Sequence, residues 1–242
     1  MSQAATAPAA HAKGAVDFHT KIAGDFHDSY KADANRLERM QVWKAVLDQY
    51  APGPYPLAYD IGCGTGRLTG EIAPRAAKVF AIDGAEGMLA IAKRHLVELG
   101  YPQTEFRHAM LPVADVSDLA AAPLVISSSV IEYVPDLKGA MAMLAKLTAP
   151  GGTLIFSMSN KDSLNRAVVR AVHRLTGKPE YFGHVLHFVD PAQLKALVEG
   201  AGLQLVETRY FGGEDRMNSV FRKVFPRSRS TNMILAVAKR PG

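Results

Sequence analysis

Asp60-Ile61-Gly62-Cys63-Gly64-Thr65-Gly66 follows a short apolar run, Leu57 to Ile61, and leads into a helical pattern from Leu68 to Ala73. Glycine at alternate positions removes side chains where backbone must turn sharply and come close to a ligand. A strand that ends in such a turn and feeds a helix is the binding corner of an open α/β sheet, because ligands settle at the carboxyl ends of the strands. The spacing here is G-x-G-x-G with an acid two residues before the first glycine. Dinucleotide dehydrogenases use G-x-G-x-x-G, a longer turn that cradles a pyrophosphate. A second apolar run, Lys78 to Ile82, ends at Asp83, 17 residues after Gly66. A carboxylate at that place accepts hydrogen bonds from both hydroxyls of a ribose and repels a 2′-phosphate.

Working outward, strand-like and helix-like segments alternate. Lys31 to Tyr50 has helical spacing through Leu37, Met40, Trp43 and Leu47, and Pro52-Gly53-Pro54 ends it. Glu86 to Leu99 reads as a helix, Thr104 to Arg107 as a weak strand and Pro123 to Ser127 as a stronger one. A helix over Leu137 to Leu147 stops at Pro150-Gly151-Gly152, and Thr153 to Met158 is strand-like. Pro191 to Ala201 is a further helix, and Leu203 to Tyr210 and Met233 to Ala238 are the last two strands. This alternation predicts a parallel sheet covered by helices on both faces. Residues 160–190 interrupt the rhythm with an inserted helix and a Gly/Pro/aromatic loop, read as a substrate lid. Met1 to Val16, rich in Ala and Pro, reads as a loose tail, so residues 17–242 form a single domain.

With these residues in place, the chain resembles the class I S-adenosylmethionine (SAM)-dependent methyltransferases from about Asp25 to the C-terminus. The resemblance rests on the Asp60 to Gly66 turn, Asp83, Ser129-Val-Ile-Glu132-Tyr-Val134, Leu147-Thr-Ala-Pro-Gly-Gly152 and the closing strand that ends Ala-Lys-Arg. In layout the chain is similar to enzymes that methylate the oxygens of quinone precursors. The resemblance implies a Rossmann-like, seven-stranded, mostly parallel sheet with an antiparallel last strand and a small lid after the fifth strand. It implies that Asp83, with Asp60 and Gly84 nearby, holds the ribose, and that the backbone of Gly62, Cys63, Gly64 and Gly66 passes under SAM. Met88, Ala109 and Met110 would border the adenine, although the third strand lacks the acidic residue that many relatives place there. Ser127 and Ser128 would lie beneath the methionine part, with Tyr30 at its carboxylate.

The implied activity is transfer of a methyl group from SAM to a small molecule, with oxygen the preferred acceptor atom and S-adenosylhomocysteine (SAH) the product. The alternatives are a non-catalytic SAM-binding protein and, less compatible with the glycine spacing, an NAD-dependent oxidoreductase. Methyl transfer needs an aligned nucleophile and exclusion of water. A base adds roughly 10²- to 10⁴-fold. The lid carries His173, Tyr181, His184 and His187, and a histidine titrates near neutrality. His184 is the preferred base, with His187 and Tyr133 as further catalytic candidates.

Composition narrows the partners. The chain holds 28 Lys+Arg against 23 Asp+Glu, a formal charge of +5, which is mild for a nucleic-acid binder, and no nucleic acid is expected. The excess gathers at Arg166, Arg170 and Arg174, and again at Arg216, Arg222, Lys223, Arg227 and Arg229. A solvated face is the plain reading of each cluster. A basic rim that suits an acidic or amphiphilic acceptor, or transient contact with a membrane surface, is the sharper one. Cys63 is the single cysteine, so no disulfide forms within the chain and a cytoplasmic location is expected. With no base beside it in sequence, Cys63 is read as a small wall residue rather than a nucleophile. No metal site is expected.

Overall fold

Side chains along a strand point alternately to opposite faces, and this parity assigns the two cores of the molecule. In the computed structural model, which describes residues 6–110, 116 and 118–242, Leu124 and Ile126 face Trp43, Val46, Leu47 and Ile72. Val125, between them, faces the opposite cluster with Tyr59, Phe156, Met141 and Leu144. Each fully buried large apolar side chain in these layers contributes about 1.5–3 kcal/mol relative to exposure.

The seven strands are β1 (Ala58–Ile61), β2 (Val79–Asp83), β3 (Glu105–His108), β4 (Ala122–Ser128), β5 (Thr148–Ser159), β6 (Gln204–Phe211) and β7 (Met233–Lys239). They form one sheet in the order β3-β2-β1-β4-β5-β7-β6. Pairing is parallel from β3 to β5, and β7 runs antiparallel to both β5 and β6. The expected Rossmann-like sheet with an antiparallel last strand is therefore present. The chain leaves β1 toward β2 and β3, then returns to β4 on the other side of β1. That reversal opens a crevice above the carboxyl ends of β1 and β4.

The helices are α1 (Thr6–Ser29), α2 (Ala34–Tyr50), α3 (Arg67–Ile72), α4 (Glu86–Glu98), α5 (Leu137–Leu147), α6 (Leu164–Thr176), α7 (Pro191–Gly200), α8 (Arg216–Phe221) and α9 (Arg227–Ser230). Side-chain caps explain several starts. Asp33 accepts from Arg36 N–H, Asp136 from Gly139 N–H, Ser163 from Arg166 N–H, and Asp190 forms a capping box with Gln193. The helix expected from Lys31 thus begins at Ala34. The strand expected from Thr153 begins at Thr148 and runs through Pro150-Gly151-Gly152, because Thr148 already pairs with Ala122.

The largest departure concerns the N-terminal segment. Residues 1–5 lie outside the described residues, but Thr6 to Val16, expected in a tail, belong to α1. Ala15 and Ala23 are buried, and Ala23 packs against Ala85 and Met88. A Cβ on Gly87 would lie 2.6 Å from Thr20 O, so α4 accepts α1 at backbone distance. The inserted segment, residues 160–190, is anchored at its base, where Lys161 N–H donates to Val189 O and Val189 N–H to Ser159 O. It carries α6 and a 3-10 turn, Glu180–His184, and packs against α8 and α9 from the β6–β7 connection. Among the described residues no helix is long and apolar enough to cross a membrane.

Candidate active site

The glycine turn hangs from the end of β2, since Gly62 N–H and Cys63 N–H both donate to Ile82 O, at 2.7 and 3.0 Å. Gly62 has φ +76°, and a Cβ there would stand 2.2 Å from Val130 Cγ2. Gly66, at φ +78°, lies behind the turn, where a Cβ would meet Leu96 Cδ2 at 2.8 Å. Asp83 grips the turn from the other side. Its Oδ2 accepts from Gly64 N–H and its Oδ1 from Ala85 N–H, each at 2.8 Å. Each carboxylate oxygen has a further lone pair available. Burial pushes the Asp83 carboxyl up, while the two N–H donors and the neighbouring His19 and His108 pull it back. Asp60 accepts from Thr69 Oγ1 at 2.6 Å, and burial pushes its carboxyl up to about 7 against that hydrogen bond. Burial also pushes the Cys63 thiol well up, which keeps it protonated and unreactive, as expected.

A cavity of about 450 Å³ opens beside this turn. One end is bounded by Asp60, Gly62, Gly64, Asp83, Met88 and Met110, with the Thr65 hydroxyl buried there and unpartnered among the described residues. The other end is bounded by Tyr133, Glu132, Arg166, Tyr181, Asn232 and Met233. Arg36 and Arg39 reach in from α2. Arg39 donates to Ser128 Oγ at 2.6 Å, and Arg36 lies over the Phe26 ring at 4.3 Å. Arg166 is buried, donates to Tyr181 Oη at 3.3 Å and leaves its Nε unpartnered among the described residues. Glu132 is 1% exposed with one carboxylate oxygen unpartnered among the described residues, and burial pushes it up to about 7 against the pull of Arg166 and Arg39. Burial, reinforced by Glu132, raises the Tyr133 phenol well above its ordinary value. Across the top lies α1, lining the cavity with Ala15, Val16, Phe18, His19, Ile22 and Phe26.

The expected site residues divide accordingly. Asp60, Gly62, Cys63, Gly64, Asp83, Gly84, Met88, Met110, Ser128, Tyr30 and Tyr133 all line the cavity. Gly66 is a packing position. Ala109 serves the sheet edge, where its N–H donates to Asp83 O at 3.0 Å. Ser127 points to the other face of β4 and is buried there, so only Ser128 reaches the cavity. The two preferred histidines do not line it. His187 is occupied structurally, its Nε2 bonded to Val134 O at 3.0 Å. His184 stacks on Phe18 beside α1, and burial lowers its pKa. Among the described residues the histidine that does line the cavity is His19, on α1 just beyond the expected tail. Arg36, Arg39 and Asn232 were likewise unassigned from sequence, and Arg166 was read only as part of a basic rim. The buried face of α6 is the one with Asn165 and Arg166, while Val168, Val172 and Leu175 are exposed, so Arg166 departs from the solvated face read for its cluster and Arg174 keeps to it.

Residues 58–208 match the family described as methyltransferase domain. The chain belongs to that family. The methyltransferase is 30% identical over 165 residues to the ubiquinone biosynthesis O-methyltransferase of Hahella chejuensis, covering 67% of this chain and 69% of the relative. It is 31% identical over 184 residues to the protein of the same name from Idiomarina loihiensis, covering 75% and 72%. Among solved structures it is similar to the N-methyltransferase NodS of Bradyrhizobium japonicum WM9 in complex with SAH, with a TM-score of 0.67 at 19% identity, over 94% of this chain and 99% of that one. The magnesium protoporphyrin IX methyltransferase of Synechocystis PCC 6803, with SAH bound, gives a TM-score of 0.63 at 18% identity over 90% and 96%. Those two likenesses establish the fold. The methyltransferase is a SAM-dependent enzyme, and neither a nicotinamide oxidoreductase nor a non-catalytic binder is favoured.

Proposed function

We propose that this methyltransferase methylates a hydroxyl oxygen of a small molecule that carries an anionic group. The observation that carries the reading is the uneven charge of the cavity. Asp60 and Asp83 stand at the ends of β1 and β2, and Arg36, Arg39 and Arg166 arrive from α2 and α6, with Glu132 as the acid among them. The O-methyltransferase relatives support oxygen as the acceptor atom.

SAM, when bound, supplies an electrophilic methyl group on a sulfonium. The residues at the Asp60 end fit it. Asp83 has acceptor positions left for the ribose hydroxyls, the Thr65 hydroxyl waits unpartnered, and Met88 and Met110 flank a slot for a flat base. Tyr30 and Ser128 line the wall near Arg36 and Arg39, where a guanidinium takes the donor's carboxylate. The remaining positive charge, chiefly Arg166, orients the acceptor's anion. Tyr133 and Tyr181 flank its ring or chain, and α1 excludes water. Alignment of this kind is worth up to about 7–11 kcal/mol of the barrier.

The test is a panel of hydroxybenzoates, matched uncharged phenols and anilines, scored by SAH release and by NMR of the methylated product. Methoxy products formed preferentially from the carboxylated phenols are expected. Methylation confined to nitrogen, or no advantage from the carboxylate, overturns the reading. Exposed Val168, Val172 and Leu175 on α6, beside Val220 and Val224 and among the basic side chains, further favour contact with an anionic membrane surface that delivers an amphiphilic acceptor. Failure to bind phosphatidylglycerol vesicles at low salt removes that part of the proposal and leaves the chemistry intact.

A further inference from the structure

Resting on O-methylation as the reaction, we infer that His19, presented by α1, is the general base that takes the acceptor's proton. His19 is the single histidine lining the cavity among the described residues. Its ring chemistry is set by one bond, Nδ1 to Ala15 O at 2.7 Å. A carbonyl oxygen only accepts, so Nδ1 carries the hydrogen and Nε2 carries the lone pair. Nε2 has no hydrogen-bond partner among the described residues. The ring is steadied edge-on by Phe18 at 5.3 Å and by Tyr133 at 5.2 Å.

The surroundings favour this ring over the other groups at hand. Tyr133 keeps its proton, because burial raises its phenol, and Cys63 is held protonated in the same way. Glu132 also lines the cavity and is the serious competitor, but one of its oxygens accepts from Ser159 Oγ at 3.5 Å and its charge faces Arg166 and Arg39. His19 lines the cavity in contact with the Tyr133 ring and near enough to Asp83 for the two to interact electrostatically. Once protonated, its imidazolium is stabilised by the Asp83 carboxylate at the end of β2. His184, near His11, opposes it. In the reaction the acceptor oxygen forms a bond to the methyl carbon while its proton passes to Nε2. The carbon–sulfur bond breaks with its electron pair left on sulfur. The imidazolium then returns its proton to water after product leaves.

Two measurements on the full chain test this. Long-range proton–nitrogen NMR of the SAH complex is expected to show His19 protonated at Nδ1 and bare at Nε2. A ring protonated at Nε2 overturns the inference whatever the acceptor proves to be. His19→Asn keeps an N–H donor near the place of Nδ1 and removes Nε2. It is expected to bind SAH within about threefold of wild type by calorimetry, to lose roughly 10²- to 10⁴-fold in turnover, and to lose the acid limb of the pH–rate profile. Turnover within threefold of wild type overturns the inference. So does a loss of SAH affinity that matches the loss of turnover, or an acid limb that persists in His19→Asn and vanishes in Glu132→Gln. If wild type methylates anilines and no phenol, the choice of oxygen fails, while the His19 readouts still stand or fall on their own.

Discussion

At the donor end of the cavity the wall is largely main chain. The Gly62 to Gly66 turn is hung from Ile82 O and gripped by one carboxylate, Asp83, and every group involved sits at the end of β1 or β2. At the acceptor end the wall is made of side chains that arrive from α1, α2, the turn after β4, α6, the 3-10 turn of the lid and the start of β7. The first construction is rigid, local in sequence and specific for one ligand. The second gathers distant segments, and each contributes one replaceable group. Donor-end substitutions should therefore damage the fold or cofactor binding, whereas acceptor-end substitutions should spare the grip on the cofactor.

The largest expected effect is at Gly62. Its positive φ and the 2.2 Å approach to Val130 leave no room for a methyl group, so Gly62→Ala should cost about 4 kcal/mol and lower Tm by roughly 10 °C in calorimetry. A Tm within 2 °C or so of wild type would break the picture of a rigid main-chain wall. Next is Asp83→Asn. Losing charge-assisted hydrogen bonds worth about 3 kcal/mol together should weaken SAH binding about a hundredfold, with the acceptor KM little changed. Titration calorimetry and steady-state kinetics separate the two.

A smaller effect concerns pH. Burial raises Glu132 from an ordinary 4.5 to about 7, so the folded state holds its proton more tightly than the unfolded chain does. The stability this gives is fully present below about 4.5 and is lost as pH rises through about 7, up to about 3 kcal/mol. Asp60 adds a loss of the same sign. Glu132→Gln should flatten the fall in denaturant midpoint between pH 5 and 8, and an unchanged slope would show that Glu132 is ionised throughout. The smallest is Arg166→Gln, expected to raise KM for a hydroxybenzoate about tenfold while KM for the uncharged phenol and SAH affinity stay within threefold. Equal loss for both acceptors would make Arg166 a structural member of the lid.

The same contrast explains what the sequence made legible. Asp60, the glycines and Asp83 are readable because a turn and two strand ends are local events. The seven strands are readable because apolar runs alternate with capped helices. Ser127 could have been set aside on parity, since Ser128 shares the face of Leu124 and Ile126. Helix α1 went unread although Phe18, Ile22 and Phe26 recur at spacings of four, because its contact with α4 is made through small residues, Ala23 against Ala85 and Thr20 close to Gly87. Arg166 was grouped with a solvated cluster because nothing local marks an arginine for burial, yet on α6 it takes the inner face while Val168 and Leu175 are exposed. For the histidines, distance along the chain carried no information. His187 is spent on Val134 O, His184 lies outside the cavity, and His19 comes from the far end of the chain.

The family match covers residues 58–208 and leaves α1 outside it. That helix adds no strand to the sheet and joins the remainder through the short turn before Ala34, yet it roofs both ends of the cavity. Exchange of such a segment would reshape the roof over the cavity and leave every strand pairing beneath it in register.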